Sequence, residues 1–358
     1  MKRILSGITP SGDGTLHIGN YLGAVRQFVE LANPSTGSGR EPHECFLMIA
    51  DLHALTTVQN REMLQKNTET LILNELALLM GDLGPTFPNI TFFRQSDVPM
   101  HTELQSILNN ITPVGLIKRA HAYKDKLAEY RSEDEINMGL FNYPILMAAD
   151  ILLYKPDLVP VGKDQKQHIE ITRDIAERFN KIFSVHRGVR PSSYSRSDPK
   201  IFPLPEPYIP DEVAVVMGTD GKRKMSKSLG NIISIFEDEA VIRKQVMGTF
   251  TDPTRIHATD LGHIEGNMVF TYLEFFGESN RVAELKNLYK NGQVADVEVK
   301  NELFTTLIGY FEAARNRYQH LVTQPDEIRK ILKDGADKAA AVAGKTLQEV
   351  RVAIGLTN

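Results

Sequence analysis

Lys222, Arg223, Lys224 and Lys227 put four cations into six consecutive positions of a loop that opens at Gly218 and closes at Gly230 and Asn231. Ammonium groups on a glycine-hinged loop suit phosphoryl or nucleotidyl transfer, because they can close over a triphosphate and stabilise charge building up at phosphorus. Taken alone, the run is equally a solvated basic loop, as most charge runs are. A second segment runs from Thr9, Pro10, Ser11 and Gly12 to His17, Ile18, Gly19 and Asn20. It sets small residues between an apolar run and a helical pattern, where a phosphate can approach backbone N–H groups at a helix start. His17 there is either a donor for phosphate charge or an ordinary surface side chain. Either segment alone is a weak signal; the two together point to nucleotide chemistry.

A third feature is Asp150, the one acid within the apolar run from Pro144 to Tyr154. A carboxylate in such surroundings is rarely buried without a partner, so it is either paired with a neighbouring donor or waiting for a ligand.

These residues need elements to position them. Ile4 to Ile8 reads as a buried strand, Tyr21 to Asn33 as a helix, Cys45 to Ala50 as a second strand, about Arg61 to Met80 as a long helix, and Ile90 to Phe93 as a third strand. Such alternation predicts a parallel sheet wound by helices, with ligands at the carboxyl ends of its strands. Met100 to Arg131 has a helical pattern, Val159 to His168 reads as a turn opening a helix, and Val213 to Met217 as a further strand. The stretches 34–44 and 184–210 read as loop or extended connection, and the chain after 217 as helical to its end. The division expected is a catalytic domain over 1–218, with a helical excursion at about 100–145, and a second, helical domain over 219–358.

Bulk properties set limits. The chain has 358 residues, 42% hydrophobic and 24% charged, with a net charge of −4. That is ordinary globular composition, and a nucleic-acid partner would have to meet local basic patches. The single Cys45 allows neither an intramolecular disulfide nor a thiol-rich metal site, and no metal-ligating set is expected from the protein. No signal peptide or membrane span is read in the sequence, so a cytoplasmic location is expected.

The two loops resemble the HIGH and KMSKS signatures of class I aminoacyl-tRNA synthetases, the first as His17-Ile18-Gly19-Asn20 and the second intact as Lys224 to Ser228. Tyr143 to Tyr154 and Val159 to His168 further resemble the amino-acid pocket of the bacterial tryptophanyl-tRNA synthetase family, and the similarity covers nearly the whole chain. The resemblance implies an α/β, Rossmann-like parallel-sheet catalytic domain followed by a helical anticodon-binding domain. It also implies ATP with Mg2+, L-tryptophan and tRNA(Trp) as reactants, and a homodimer. On that likeness His17, Lys224, Lys227 and Lys126 serve the reaction. Asp150 accepts the indole N–H, Met147 and Tyr143 border the ring, and Gln165 and His53 lie near the amino-acid end or behind it. ATP would meet Thr9, Pro10, Ser11, Gly19 and Asn20 on one side, Gly162, Lys163 and Asp164 near the ribose, and Val216 with Lys224, Met225, Ser226, Lys227 and Ser228 at the adenine and phosphates. The bottom-up view of Asp150 agrees, since indole offers one donor and no acceptor. The chain departs from the family at Leu5, Thr9 and Lys163, and its lone cysteine excludes the iron–sulfur cluster of some relatives. Arg315, Arg317, Arg329, Lys330, Lys333, Lys338 and Lys345 mark the C-terminal region expected to face tRNA. Two alternatives stand at this point: a tyrosyl-tRNA synthetase, and a nucleotide- or RNA-binding paralogue without charging activity.

Overall fold

The computed structural model describes residues 2–33, 42–120, 136–162, 165–183, 200–209 and 216–356. Its centre is a five-stranded sheet built from β1 (Arg3–Ile8), β2 (Glu44–Ile49), β3 (Ile90–Arg94), β4 (Leu158–Pro160) and β5 (Glu206–Tyr208), in the order β3-β2-β1-β4-β5 and parallel throughout. Between β1 and β2 run α1 (Ile18–Asn20), a π-helical turn over Tyr21–Val25, and α2 (Arg26–Ala32). Between β2 and β3 run α3 (Asp51–Ala54) and α4 (Arg61–Leu83), the latter capped by Asn60, whose side chain accepts the Met63 N–H.

After β3 the chain crosses to the other side of β1 through α5 (Met100–Asn109), α6 (Val114–Lys118) and α7 (Met138–Tyr154). The strand order therefore reverses between β1 and β4, and a crevice opens beyond their carboxyl ends. α7 is nearly all apolar because it is buried almost all round, and it continues through Pro144. α8 (Lys166–Phe183) links β4 to β5. The first three strands and the long helix lie where periodicity put them. β4 overlaps the start of the segment read as a turn and β5 falls inside the one read as connection, because three residues each, with Pro160 and Pro207 among them, are too few to display a period of two. Most of the stretches 34–44, 184–210 and 213–217 lies outside the described residues.

Alternate strand residues serve opposite cores, as the pleat requires. Ile4, Cys45, Leu47 and Ile49 pack on one face with α4, and Leu5, Phe46 and Met48 on the other with α5, α7 and α8. Past the lysine loop come α9 (Glu239–Met247), α10 (Met268–Phe276), α11 (Ser279–Lys290), α12 (Asp296–Tyr310), α13 (Glu312–Val322) and α14 (Pro325–Ile354). Non-helical chain separates several of them, notably over 249–267. α14 returns to cover the sheet edge. Gly335 touches β3 so closely that a Cβ there would fall 1.8 Å from the Phe92 carbonyl oxygen. Covering β3 in this way removes an open edge.

Candidate functional site

A cavity of about 700 Å³ opens at the switch point, where Thr9 follows β1 and Val161 and Gly162 follow β4. His53, Tyr143, Met147, Asp150 and Gln165 line it, as do Thr9 and Gly162, so residues expected from four separate segments meet in one place. Leu5, Gly7, Met48, Val159 and Val161 supply apolar wall, and the π-helical turn contributes Gly23 and Ala24.

Asp150 is 2% exposed. Its Oδ1 accepts from His101 Nδ1 at 2.6 Å and from Gln95 Nε2 at 2.8 Å; its Oδ2 bonds His53 Nε2 at 2.8 Å. Burial alone would raise the carboxyl's pKa, but the hydrogen bonds from His101 and His53 outweigh it and hold the group at about 2, so it is ionised at neutral pH. With the carboxylate unable to donate, both imidazoles must donate to it, and His101 Nε2 bonds the Tyr154 hydroxyl at 2.9 Å. The first branch of the sequence expectation holds, since Asp150 is paired with three donors, and Asp150 also lines the cavity. Tyr143 bonds His168 Nε2 through its hydroxyl at 2.9 Å and stands edge-on to His53, with ring centroids 6.3 Å apart.

The two signature loops touch. Gly19 faces Met225, whose sulfur would lie 3.1 Å from a Cβ at that position, so a side chain there would press the two loops apart by a few tenths of an ångström. Ile18 N–H donates to the Ile233 carbonyl at 3.0 Å, and His17 bridges to Ser234. Lys227 reaches across to the first loop, donating to Asp13 Oδ1 at 2.5 Å and to the Thr15 carbonyl at 2.6 Å. Burial would raise the Asp13 pKa, yet the bonds from Lys227 and Thr15 bring it to about 2.

His17 is not a surface residue: it is 6% exposed and caps α1, with Nδ1 accepting the Asn20 N–H at 3.3 Å while the Asn20 side chain accepts the His17 N–H. Burial, helped by the charges of Lys227 and Lys224, pushes its pKa down to about 4. The ring is therefore neutral at pH 7, and since Nδ1 is an acceptor, its proton sits on Nε2.

The loop base is fixed by a bridge between Met217 and Lys224 and by the Tyr272 hydroxyl on the Met217 carbonyl at 2.7 Å. Val216 is 8% exposed core and accepts the Met225 N–H. Asn231 ties the loop shut, accepting the Ser226 N–H and donating to Asp220 and the Lys224 carbonyl. Ser226 and Ser228 hydroxyls bond each other at 2.9 Å, Pro10 is buried, and Ser11 and Lys224 are exposed. Lys126, Lys163 and Asp164 lie outside the described residues. In the C-terminal region Arg315 donates to the Ile235 and Glu237 carbonyls, while Arg329, Lys330 and Lys333 pair with Asp326, Asp334 and Asp337 on their own helix.

Sequence reasoning missed Gln95, His101, Tyr154 and Asp13. Gln95 stands just past the carboxyl end of β3, where ligand-facing groups collect, and that position was a usable signal. His101 and Tyr154 sit in ordinary helical patterns and offered none.

A family profile described as tRNA synthetases class I (W and Y) matches residues 1–312. The chain belongs to this class I synthetase family. Its relatives narrow the assignment. The tryptophan–tRNA ligase of Fusobacterium nucleatum is 41% identical over 356 residues, spanning 99% of this chain and 98% of the relative. That of Treponema pallidum is 37% identical over 358 residues, spanning 100% and 98%. The crystal structure of tryptophanyl-tRNA synthetase from Campylobacter jejuni, complexed with ADP and tryptophan, matches with a TM-score of 0.83 at 39% identity and covers 99% of both chains. Within the family the chain therefore stands with the tryptophan–tRNA ligases.

Proposed function

We propose that the chain activates L-tryptophan with ATP and passes it to tRNA(Trp) in protein synthesis, using the two contacting loops for the nucleotide and the Asp150 cavity for the amino acid. In the first step a carboxylate oxygen of tryptophan attacks the α-phosphorus, and the bond to the β-phosphate oxygen breaks, releasing pyrophosphate and leaving tryptophanyl-adenylate. In the second step a terminal ribose hydroxyl of the tRNA attacks the adenylate carbonyl and AMP departs. Neither step needs a covalent bond to the protein, so positioning and charge stabilisation carry the rate.

Asp150 reads the indole N–H, Met147 and Tyr143 border the ring, and His53 and Gln165 complete the amino-acid side. Thr9, Pro10, Ser11, Gly19, Asn20 and Gly162 border ATP together with Lys163, Asp164, Val216 and the loop from Lys224 to Ser228. His17 donates through Nε2 to phosphate oxygen. Lys227, Lys224 and Lys126 meet the pyrophosphate. Among the described residues no group of three or more His, Cys, Asp or Glu side chains could hold a metal ion; Mg2+ would arrive with the nucleotide and help neutralise its phosphate charge. Residues 219–358 carry the lysine loop and the anticodon-binding helices, and the working unit is a homodimer in the cytoplasm. Among the described residues no helix is long and apolar enough to cross a membrane.

The observation that carries this reading is a buried carboxylate, held ionised by its hydrogen bonds, in the wall of a cavity that also offers apolar surface from Leu5, Met48, Met147 and Val161. It favours a ligand whose ring carries a hydrogen-bond donor, because a ring without one leaves the carboxylate partly unpaired, and indole supplies that donor through its N–H with no acceptor beside it. The test is ATP–pyrophosphate exchange with tryptophan and tyrosine side by side. Exchange with tryptophan and at least about a hundredfold lower kcat/KM with tyrosine is expected; equal values would overturn the assignment.

A further inference from the structure

The Asp150 carboxylate is asymmetric in a way that assigns different work to its two oxygens. A carboxylate oxygen has two lone pairs. Oδ1 has both engaged, by His101 Nδ1 and Gln95 Nε2. Oδ2 has one engaged, by His53 Nε2, and among the described residues the other is open. The two donors on Oδ1 are fully buried at 0% exposure and take no part in the cavity wall, whereas His53 and Asp150 itself do line it.

Both donors are also held from behind. Gln95 Oε1 accepts the Leu52 N–H at 3.2 Å, which fixes the amide orientation so that its NH2 must point at Asp150. His101 is held between the Tyr154 hydroxyl on Nε2 and the Phe93 ring, stacked at a centroid distance of 6.2 Å. The two donors come from the turn after β3 and from α5, so two elements converge on one oxygen of a side chain carried by α7.

We propose that His101 and Gln95 are positioning residues that clamp Oδ1 and so present the open lone pair of Oδ2 to the substrate, making N–H recognition a property of the clamp as much as of Asp150. This rests on the reading that Asp150 meets the indole N–H. Removal of either donor leaves Oδ1 short of a partner and lets the carboxylate turn toward whatever donor remains. The substrate then loses a fixed acceptor. The preference for a ring that carries N–H over one that does not shrinks, and the loss falls on the KM for the amino acid.

The experiment compares His101→Leu, His101→Asn and Gln95→Met with the parent and with Asp150→Asn in ATP–pyrophosphate exchange. The substrates are tryptophan and the analogue in which sulfur replaces the indole N–H. Asn carries an amide N–H near the place of imidazole Nδ1, while both His101 variants lose the Tyr154 contact and ring packing. A purely structural role would therefore affect the two alike. Expected is a rise in tryptophan KM on the order of ten- to a hundredfold in His101→Leu and Gln95→Met. Discrimination against the sulfur analogue should fall by a similar factor, with discrimination largely restored in His101→Asn. If His101→Leu does not fold, as judged by circular dichroism, Gln95→Met carries the test unaided. Discrimination that survives in the clamp variants but is lost in Asp150→Asn overturns the clamp and leaves the Asp150 reading intact. Discrimination that survives in Asp150→Asn overturns that reading itself.

Discussion

Glu75 lies in the middle of α4 at 0% exposure, and neither of its carboxyl oxygens has a hydrogen-bond partner among the described residues. Burial pushes its pKa from 4.5 up to about 8. The folded protein thus holds a proton at Glu75 that the unfolded chain releases above pH 4.5, so stability falls as pH rises from that value toward 8. The gap between 4.5 and about 8, at about 1.4 kcal/mol per pH unit, corresponds to about 5 kcal/mol present in acid and lost by pH 9. At pH 7 roughly 3 kcal/mol is already gone. Glu75→Gln removes this titration while keeping nearly the same volume. The assay is urea unfolding of parent and variant at pH 5, 7 and 8.5, at one protein concentration so that any subunit association is held constant. The stability of the variant relative to the parent should climb by about 3 to 5 kcal/mol between pH 5 and 8.5, because every other titration is common to both. A difference that stays constant across the three pH values would refute the reasoning.

Three further outcomes follow from the geometry. Lys227→Ala should lower the rate of adenylate formation by about a hundred- to a thousandfold, the usual loss for a charge-stabilising group. Tryptophan binding, followed by its fluorescence in a chain with no Trp of its own, should be unchanged; an unaltered exchange rate would sink the role. Asp13→Asn takes away the anion that competes with ATP for Lys227 and should lower the KM for ATP by up to about fivefold, the range of an exposed ion pair; a raised KM would contradict it. Gly335→Ala drives a methyl into the Phe92 carbonyl and should destabilise the chain by about 2 kcal/mol or more, read as a fall in urea midpoint.

How much of this was legible depended on how far apart the deciding residues lie. β1, β2, β3 and α4 are long enough for their apolar spacing to show, whereas β4 and β5 have three residues each and declare themselves only by pairing beside β1. The cavity-lining set was named through the resemblance and does meet in one cavity, but of the partners of Asp150 only His53 was named, and without that role. Gln95, His101 and His53 stand 55, 49 and 97 residues from it, and no local pattern links them.

The sequence by itself determined the class of chemistry, because the cations of the lysine loop and the small residues of the first loop are each contiguous, and spacing within a short segment survives without a fold. It also determined the parallel-sheet architecture, through the alternation of strand and helix periods. Only the tertiary structure decided the charge states on which the chemistry depends. His17 is neutral because it is buried beside two lysines, Asp150 is ionised because two imidazoles donate to it, and Lys227 is held by Asp13, 214 residues away. Protonation and hydrogen-bond saturation are set by burial and by neighbours in space, and those exist only once the chain has folded.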